Sequence, residues 1–259
     1  MTVVLRENIA SLSPETPILC FLHLPRTGGT TINRMLRYAF GDRAIFHADL
    51  VAKYGSEAGL AAALARGQRV DRRAVLISGH YGVAHPLVLH SERPIGVAAV
   101  LRQPLQRITS LYDYIRGTPD HPEHAALSSL TLNQALDSVP DFAVHCRNAQ
   151  LRTLFDATAQ ADITAALHRH PYLLGRMEAL EPFAQRLLGL FGLTLGGRLP
   201  RFNERPALMG VAPARTQPDY ATALARLERH NRAELDFYAR LPPIFASRPK
   251  HAMVHAGAA

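Results

Sequence analysis

The chain has only two cysteines in 259 residues, Cys20 and Cys146. That count excludes a disulfide scaffold, and neither cysteine stands in the CxxC spacing of a zinc ribbon or a redox dithiol, so reduced thiols are expected. Long hydrophobic runs are missing too. The longest charge-free apolar stretches, Pro17 to Pro25 and Pro94 to Leu101, fall well short of the roughly 18–20 residues that cross a bilayer, so no membrane span is expected. Near the start, Arg6 and Glu7 interrupt the place where a secretory leader needs an unbroken apolar core, and the expected location is cytoplasmic. No repeat period or low-complexity tract is present, which excludes a solenoid. Aromatic residues make up only 7% of the chain. With no RNA-recognition, zinc-finger or helix-turn-helix signature beside them, a nucleic-acid-binding module is the least favoured class.

What is present is a core and a charge. Hydrophobic residues make up 47% of the chain, ample for one large or two small domains. The expectation is a single domain over residues 1–246, followed by a flexible tail over 247–259 that lacks a periodic apolar face. Lys and Arg outnumber Asp and Glu by 29 to 21, giving a net charge of +8. That balance favours an anionic partner without saying which anion.

The apolar pattern alternates between short runs and helical periods. Ile18 to Leu24, Ala74 to Ser78 and Ile95 to Leu101 are nearly continuous apolar runs, the signature of strands buried on both faces. Helical patterns follow the first and third, over Thr30 to Phe40 and Pro104 to Arg116. Strands interleaved with helices imply right-handed crossovers and a parallel sheet covered on both sides, an α/β fold. Further helices are expected over Leu130 to Val139, Asp162 to His170 and Pro182 to Phe191, with a short strand over Tyr172 to Gly175. One long amphipathic helix is expected from Asp219 to Leu241, because Leu224, Leu227, Leu235, Tyr238 and Leu241 share a face.

Two strand-to-helix junctions carry chemistry. The first reads Leu24-Pro25-Arg26-Thr27-Gly28-Gly29-Thr30-Thr31. A strand feeding a glycine turn and then a helix N-terminus aims unpaired backbone N–H groups at one point, which makes an anion site. Gly28 and Gly29 permit close approach of the backbone, and the Thr30 and Thr31 hydroxyls add donors. This is not the usual nucleoside-triphosphatase loop, which needs Lys directly after its last Gly, where Thr30 stands here. The cation, Arg26, precedes the glycines instead. The second junction reads Leu101-Arg102-Gln103-Pro104, with Ser110 about two turns into the helix that Pro104 opens. P-loop phosphoryl-transfer enzymes commonly use an Asp at such a strand end to organise magnesium; this chain has Arg102, which implies direct, metal-free binding of a second phosphate. Arg107 could also bind that phosphate, though an Arg three residues into a helix is more often a solvated or ion-paired surface residue.

Together LPRTGGTT and LRQPLQRITSLYDY resemble the 5′-phosphosulfate loop and the 3′-phosphate motif of sulfotransferases that use 3′-phosphoadenosine 5′-phosphosulfate. They are most similar to the carbohydrate branch that includes heparan sulfate 2-O-sulfotransferase. Weaker matches continue through Asn148 to Arg152, Gly175 to Glu178, Phe202-Asn203-Glu204 and Asn231 to Tyr238. The resemblance implies a P-loop-like three-layer α/β/α fold with a central parallel sheet and a helical C-terminal part. It implies that Arg26, Thr27, Gly28, Gly29, Thr30 and Thr31 hold the 5′-phosphosulfate, that Arg102 and Ser110 hold the 3′-phosphate, and that Arg26 also supports the departing phosphate. The family usually has Lys where Arg26 stands; guanidinium keeps the charge but is larger and cannot lose its proton. No metal is implied. The lack of an N-terminal membrane anchor departs from the Golgi members and points to a bacterial-type cytoplasmic enzyme.

Transfer to a hydroxyl needs a base at the acceptor. His80, just past the second apolar run in Ser78-Gly79-His80-Tyr81, is the leading candidate, since strand carboxyl ends share one rim with the phosphate loops. That segment also resembles the one bearing the catalytic base in the 2-O-sulfotransferase branch. His47 is the alternative base or a residue lining the acceptor cleft. Asp49 and Glu178 are candidates to orient a histidine, and His121 and His124 have metal-ligand spacing without a third ligand. The expected acceptor is a carbohydrate, a glycolipid or another small hydroxyl compound. A nucleotide-dependent kinase is the competing reading, weakened by Thr30 in place of Lys and by Arg102 in place of a metal-binding Asp.

Overall fold

The structure is a computed structural model that describes residues 3–4, 17–70, 74–199 and 212–247. Its strands are β1 (Val3–Val4), β2 (Ile18–Leu22), β3 (Ala44–Phe46), β4 (Leu76–Gly79), β5 (Ile95–Leu101), β6 (Tyr172–Arg176), β7 (Thr194–Leu195) and β8 (Ile244–Ala246). Six of them form the main sheet in the order β3-β4-β2-β5-β6-β8, while β1 and β7 pair separately. Strands β3 to β6 run parallel to β2. At the far edge β8 pairs antiparallel with β6, a departure from the all-parallel expectation. Three residues are too few to display a period, so this edge was not legible as a strand.

The helices are α1 (Gly29–Phe40), α2 (His47–Tyr54), α3 (Glu57–Ala65), α4 (Pro86–Leu89), α5 (Pro104–Arg116), α6 (His124–Leu127) and α7 (Leu132–Ser138). They continue with α8 (Pro140–His145), α9 (Ala149–Phe155), α10 (Gln160–Arg169), α11 (Leu180–Gly189), α12 (Tyr220–His230) and α13 (Arg232–Arg240). Alternation along β2 builds the layers. Ile18, Cys20 and Leu22 face Leu151, Leu154 and Phe155 of α9 and Ile163 of α10. Leu19 and Phe21 face Ile32, Met35 and Leu36 of α1 and Phe183 and Leu187 of α11. Both faces of the sheet are therefore covered, and each such aliphatic side chain withdrawn from water stabilises the fold by roughly 1.5–3 kcal/mol. A third cluster, built from α5, α7, α8 and α12, extends beyond the sheet around Ile108, Tyr112, Phe142 and Leu227. It makes a mixed α/β fold with a mostly parallel central sheet and a large helical complement.

Two expected elements match residue for residue, the strand Ile95–Leu101 and the helix Pro104–Arg116. The long helix from Asp219 does not. It breaks at Asn231, whose backbone sits at φ −117°, ψ 21° between α12 and α13. The buried Asn231 side chain donates to the Cys146 and Leu227 carbonyls, at 2.8 Å each, and accepts from the Asn148 amide at 2.7 Å. A short polar side chain that satisfies neighbouring backbone groups in this way competes with helix continuation. The chain therefore bends where it meets the start of α9.

Candidate active site

The loop after β2 is shaped by two left-handed residues, Arg26 at φ 66° and Gly28 at φ 87°. For Gly28 that conformation costs little; for Arg26 it is strained, a cost of roughly 1–2 kcal/mol. Gly28 caps α1 without a side-chain hydrogen bond, so the cap leaves the helix N-terminal amides to other acceptors. Gly29 is needed for a different reason: a Cβ there would lie 1.9 Å from Cδ2 of His23. Thr27 is buried and donates its hydroxyl to the Leu24 carbonyl at 2.9 Å, so this side chain braces the turn from within. Thr31 is buried as well, and Thr30 is half-buried.

Arg102 leaves the end of β5 in a frame built from distant residues. Its amide donates to Gln150 Oε1 at 3.0 Å, and Gln150 Nε2 donates back to the Arg102 carbonyl at 2.9 Å. Gln150 is held by Glu234 of α13, which accepts from its Nε2 at 2.6 Å and from its amide at 2.8 Å. Glu234 is fully buried. Its charge also acts on Arg107, which is buried and donates to the His145 carbonyl at 2.6 Å. The expectation of a surface Arg107 is thus corrected. Burial lowers its proton affinity, and the Glu234 carboxylate opposes that shift.

The two loops touch. Arg102 Nη1 donates to the Arg26 carbonyl at 3.2 Å, and Arg26 Nε donates to Ser110 Oγ at 3.2 Å. The Arg26 guanidinium lies over the Tyr114 ring, 4.5 Å from its centroid, a cation–π contact that fixes the fork. Arg26, Arg102 and Ser110 all line one cavity of about 460 Å³. Thr109, Asp113, Tyr114, Arg215, Tyr220 and Leu224 are among its other walls. The volume suits a ligand of nucleotide size. Arg215 and Tyr220 come from a part of the chain that sequence reasoning did not connect with the site, and only the turn before α12 brings them in. Thr27, Gly28, Gly29, Thr30 and Thr31 do not line this cavity; they form the loop behind Arg26.

His80 stands past the end of β4, exposed, with its ring stacked on His23 at 4.2 Å and 27°. His23 Nδ1 pairs with Asn33 Nδ2 at 3.0 Å, and Asn33 Oδ1 accepts from the Ser78 hydroxyl. The relay fixes the His23 ring, leaving its proton on Nε2. Burial, aided by the charge of His80, lowers the His23 pKa to about 3. Desolvation also lowers that of His80, whose ring packs on His23 although the residue as a whole is exposed, with a hydrogen bond to the His23 backbone opposing and the charge of His47 assisting. His80 does not line the cavity shared by Arg26 and Arg102. It is linked to the first loop through the His23 ring, which also packs against Gly29.

The remaining candidates fall elsewhere. His47 opens α2 buried, its Nε2 within 2.8 Å of the Glu57 carboxylate, so it is a clamped side chain and not an open base. Asp49 pairs with Arg37 at 3.3 Å and Glu178 accepts from Tyr238 at 2.7 Å, so the carboxylate that orients a histidine is Glu57, which sequence reasoning missed. His121 accepts from the Glu123 amide at 3.2 Å in the turn before α6, and His124, which opens α6, meets the Ile115 carbonyl at 3.1 Å. The Phe202-Asn203-Glu204 match and the tail beyond residue 247 lie outside the described residues.

No protein-family model matches the chain, and no curated protein does. Among solved structures it is similar to a mouse sulfotransferase, SULT7A1, in complex with PAP, at 12% identity over 89% of this chain and 92% of that one, with a TM-score of 0.38. The superposition is loose, and the chemistry of the cavity stands on its own residues.

Proposed function

We propose that the chain is a sulfotransferase that moves a sulfuryl group from 3′-phosphoadenosine 5′-phosphosulfate to a hydroxyl of a carbohydrate or glycoconjugate. The observation that carries this reading is the meeting of Arg26, Arg102 and Ser110 on one cavity at the carboxyl ends of β2 and β5. In this reading Arg102 and Ser110 take the 3′-phosphate, while Arg26 and the turn from Thr27 to Thr31 take the 5′-phosphosulfate at the N-terminus of α1. The acceptor oxygen attacks sulfur in line as the bond from sulfur to the bridging phosphate oxygen breaks. The electron pair leaves with adenosine 3′,5′-bisphosphate, stabilised by Arg26. The acceptor proton passes to His80, which its lowered pKa keeps in the neutral, accepting form at pH 7. Charge placement and alignment do most of the work, since the transferred group is itself an anion. The reading takes residues 1–246 as one unit, supported by a sheet that runs from Ile18 to Ala246.

The test is a comparison of ligands. Adenosine 3′,5′-bisphosphate is expected to bind the purified chain and to be displaced by the sulfated donor, with labelled sulfur then passing to saccharide acceptors without added magnesium. Tight binding of magnesium-ATP with none of the bisphosphate would overturn the reading in favour of a kinase.

A further inference from the structure

We infer that His47, Glu57 and His85 form a binding site for a divalent transition metal of the zinc class. The three residues come from separate segments, the start of α2, the start of α3 and the cap of α4, and each offers a ligand atom. One ring nitrogen of each histidine and a Glu57 oxygen all lie within 4.8 Å of one another. His47 Nε2 is 2.8 Å, and His85 Nε2 3.5 Å, from Glu57 Oε1. Tetrahedral zinc with ligands at about 2.0–2.1 Å sets its donors roughly 3.4 Å apart. The two separations from Glu57 thus bracket the coordinating distance, and the separation between the two histidine donors is within 4.8 Å.

The rings are held for reasons independent of Glu57. His47 is pressed against β4 so closely that a Cβ on Gly79 would lie 2.2 Å from its own Cβ. The His47 and His85 rings meet edge to face at 5.1 Å, and each also packs on Tyr81 at 5.4 Å. Glu57 is different: its side chain is 53% exposed, so the open side of the cluster faces solvent and leaves coordination positions for water. Two imidazoles and one carboxylate suit zinc, cobalt or nickel and do not suit magnesium or calcium, which take oxygen ligands.

One contact sets the strength of the site. His85 Nδ1 accepts from the Leu87 amide at 3.1 Å, which places the proton of the neutral ring on Nε2. Coordination through Nε2 moves that proton to Nδ1 and costs the Leu87 amide its acceptor. Binding is therefore expected to be weaker than at a fully prepared two-histidine, one-carboxylate site, and to strengthen as pH rises. The inference does not depend on the sulfotransferase reading, because none of the three residues lines the arginine cavity.

The experiment is titration of the full chain, stripped of metal and freed of chelator, with cobalt(II) followed by zinc(II). The expected result is uptake of one equivalent of cobalt with visible d–d bands, displaced stoichiometrically by zinc, and no uptake of magnesium. Glu57→Gln and His85→Gln are each expected to weaken cobalt binding tenfold or more. Far-UV circular dichroism confirms that both variants fold, and Glu57 in particular is too exposed for its change to unfold the chain. Absence of stoichiometric uptake by the wild type, or equal affinity in both folded variants, would overturn the assignment.

Discussion

Arg26 does three jobs at once, and two of them depend on guanidinium geometry: its Nε holds Ser110 and its plane lies on Tyr114, while its backbone carbonyl receives Arg102. Arg26→Lys keeps the charge but loses the fork and the stacked plane. Affinity for adenosine 3′,5′-bisphosphate is expected to fall about tenfold, about 1.4 kcal/mol, as read by calorimetry; an unchanged affinity would remove Arg26 from the donor site. His80→Ala is expected to cut turnover by roughly 10²–10⁴-fold, the usual contribution of a general base. Bisphosphate affinity should stay within about threefold, under 1 kcal/mol, since His80 is outside the cavity. Wild-type turnover in that variant would remove His80 from the mechanism. The positions of Arg26 and Arg102 beside one cavity were legible because each stands at a strand end followed by a helix start, with Ser110 on the helix that Pro104 opens; the role of His80 rests on the turnover test. His23 was hidden: it reads as one more polar break in an apolar run, and only its stack on His80 and its contact with Gly29 give it a role.

Helices α9 and α13 are joined by a buried carboxylate. Glu234 binds the amide and side chain of Gln150, and Gln150 in turn pins both backbone groups of Arg102. Glu234→Ala leaves the buried Gln150 amide and side chain short of acceptors, a loss of roughly 1–3 kcal/mol. The expected result is a lower urea midpoint at unchanged slope, together with weakened bisphosphate binding. A loss of stability with full nucleotide affinity would show that the frame does not position Arg102. Elements with a whole period were legible, as Ile95–Leu101 and Pro104–Arg116 show. The break at Asn231 was not, because the apolar face continues unbroken across it and the cause is a set of carbonyl and amide partners far away in sequence. The same holds for the Gln150 and Glu234 pair, which reads as one polar residue in each of two helices.

Across the described residues, several histidines have their pKa lowered by desolvation, among them His23 and His170. In the unfolded chain each takes up a proton below about pH 6.5. The folded His23 does not do so until about pH 3. The unfolded state therefore binds more protons in that window, and stability is fully present above it and lost as pH falls through it. Each such histidine contributes a slope of up to about 1.4 kcal/mol per pH unit. Urea midpoints are expected to drop between pH 7 and pH 5, and His23→Phe, which keeps a stacking ring, should flatten part of that decline. An identical pH dependence in the variant would exclude His23 as a source. The layered α/β plan was legible from three apolar runs, whereas the walls of the cavity were not, since Arg215 and Tyr220 arrive through tertiary packing alone. The frame around Arg102 also has a consequence for the nascent chain. Gln150 and Glu234 are 84 residues apart, so at about 5–20 residues per second the ribosome needs roughly 4–17 s to deliver the second after the first. Both arginines are thus translated well before the brace that aims one of them, and the frame around Arg102 is complete only once α13 has emerged and docked.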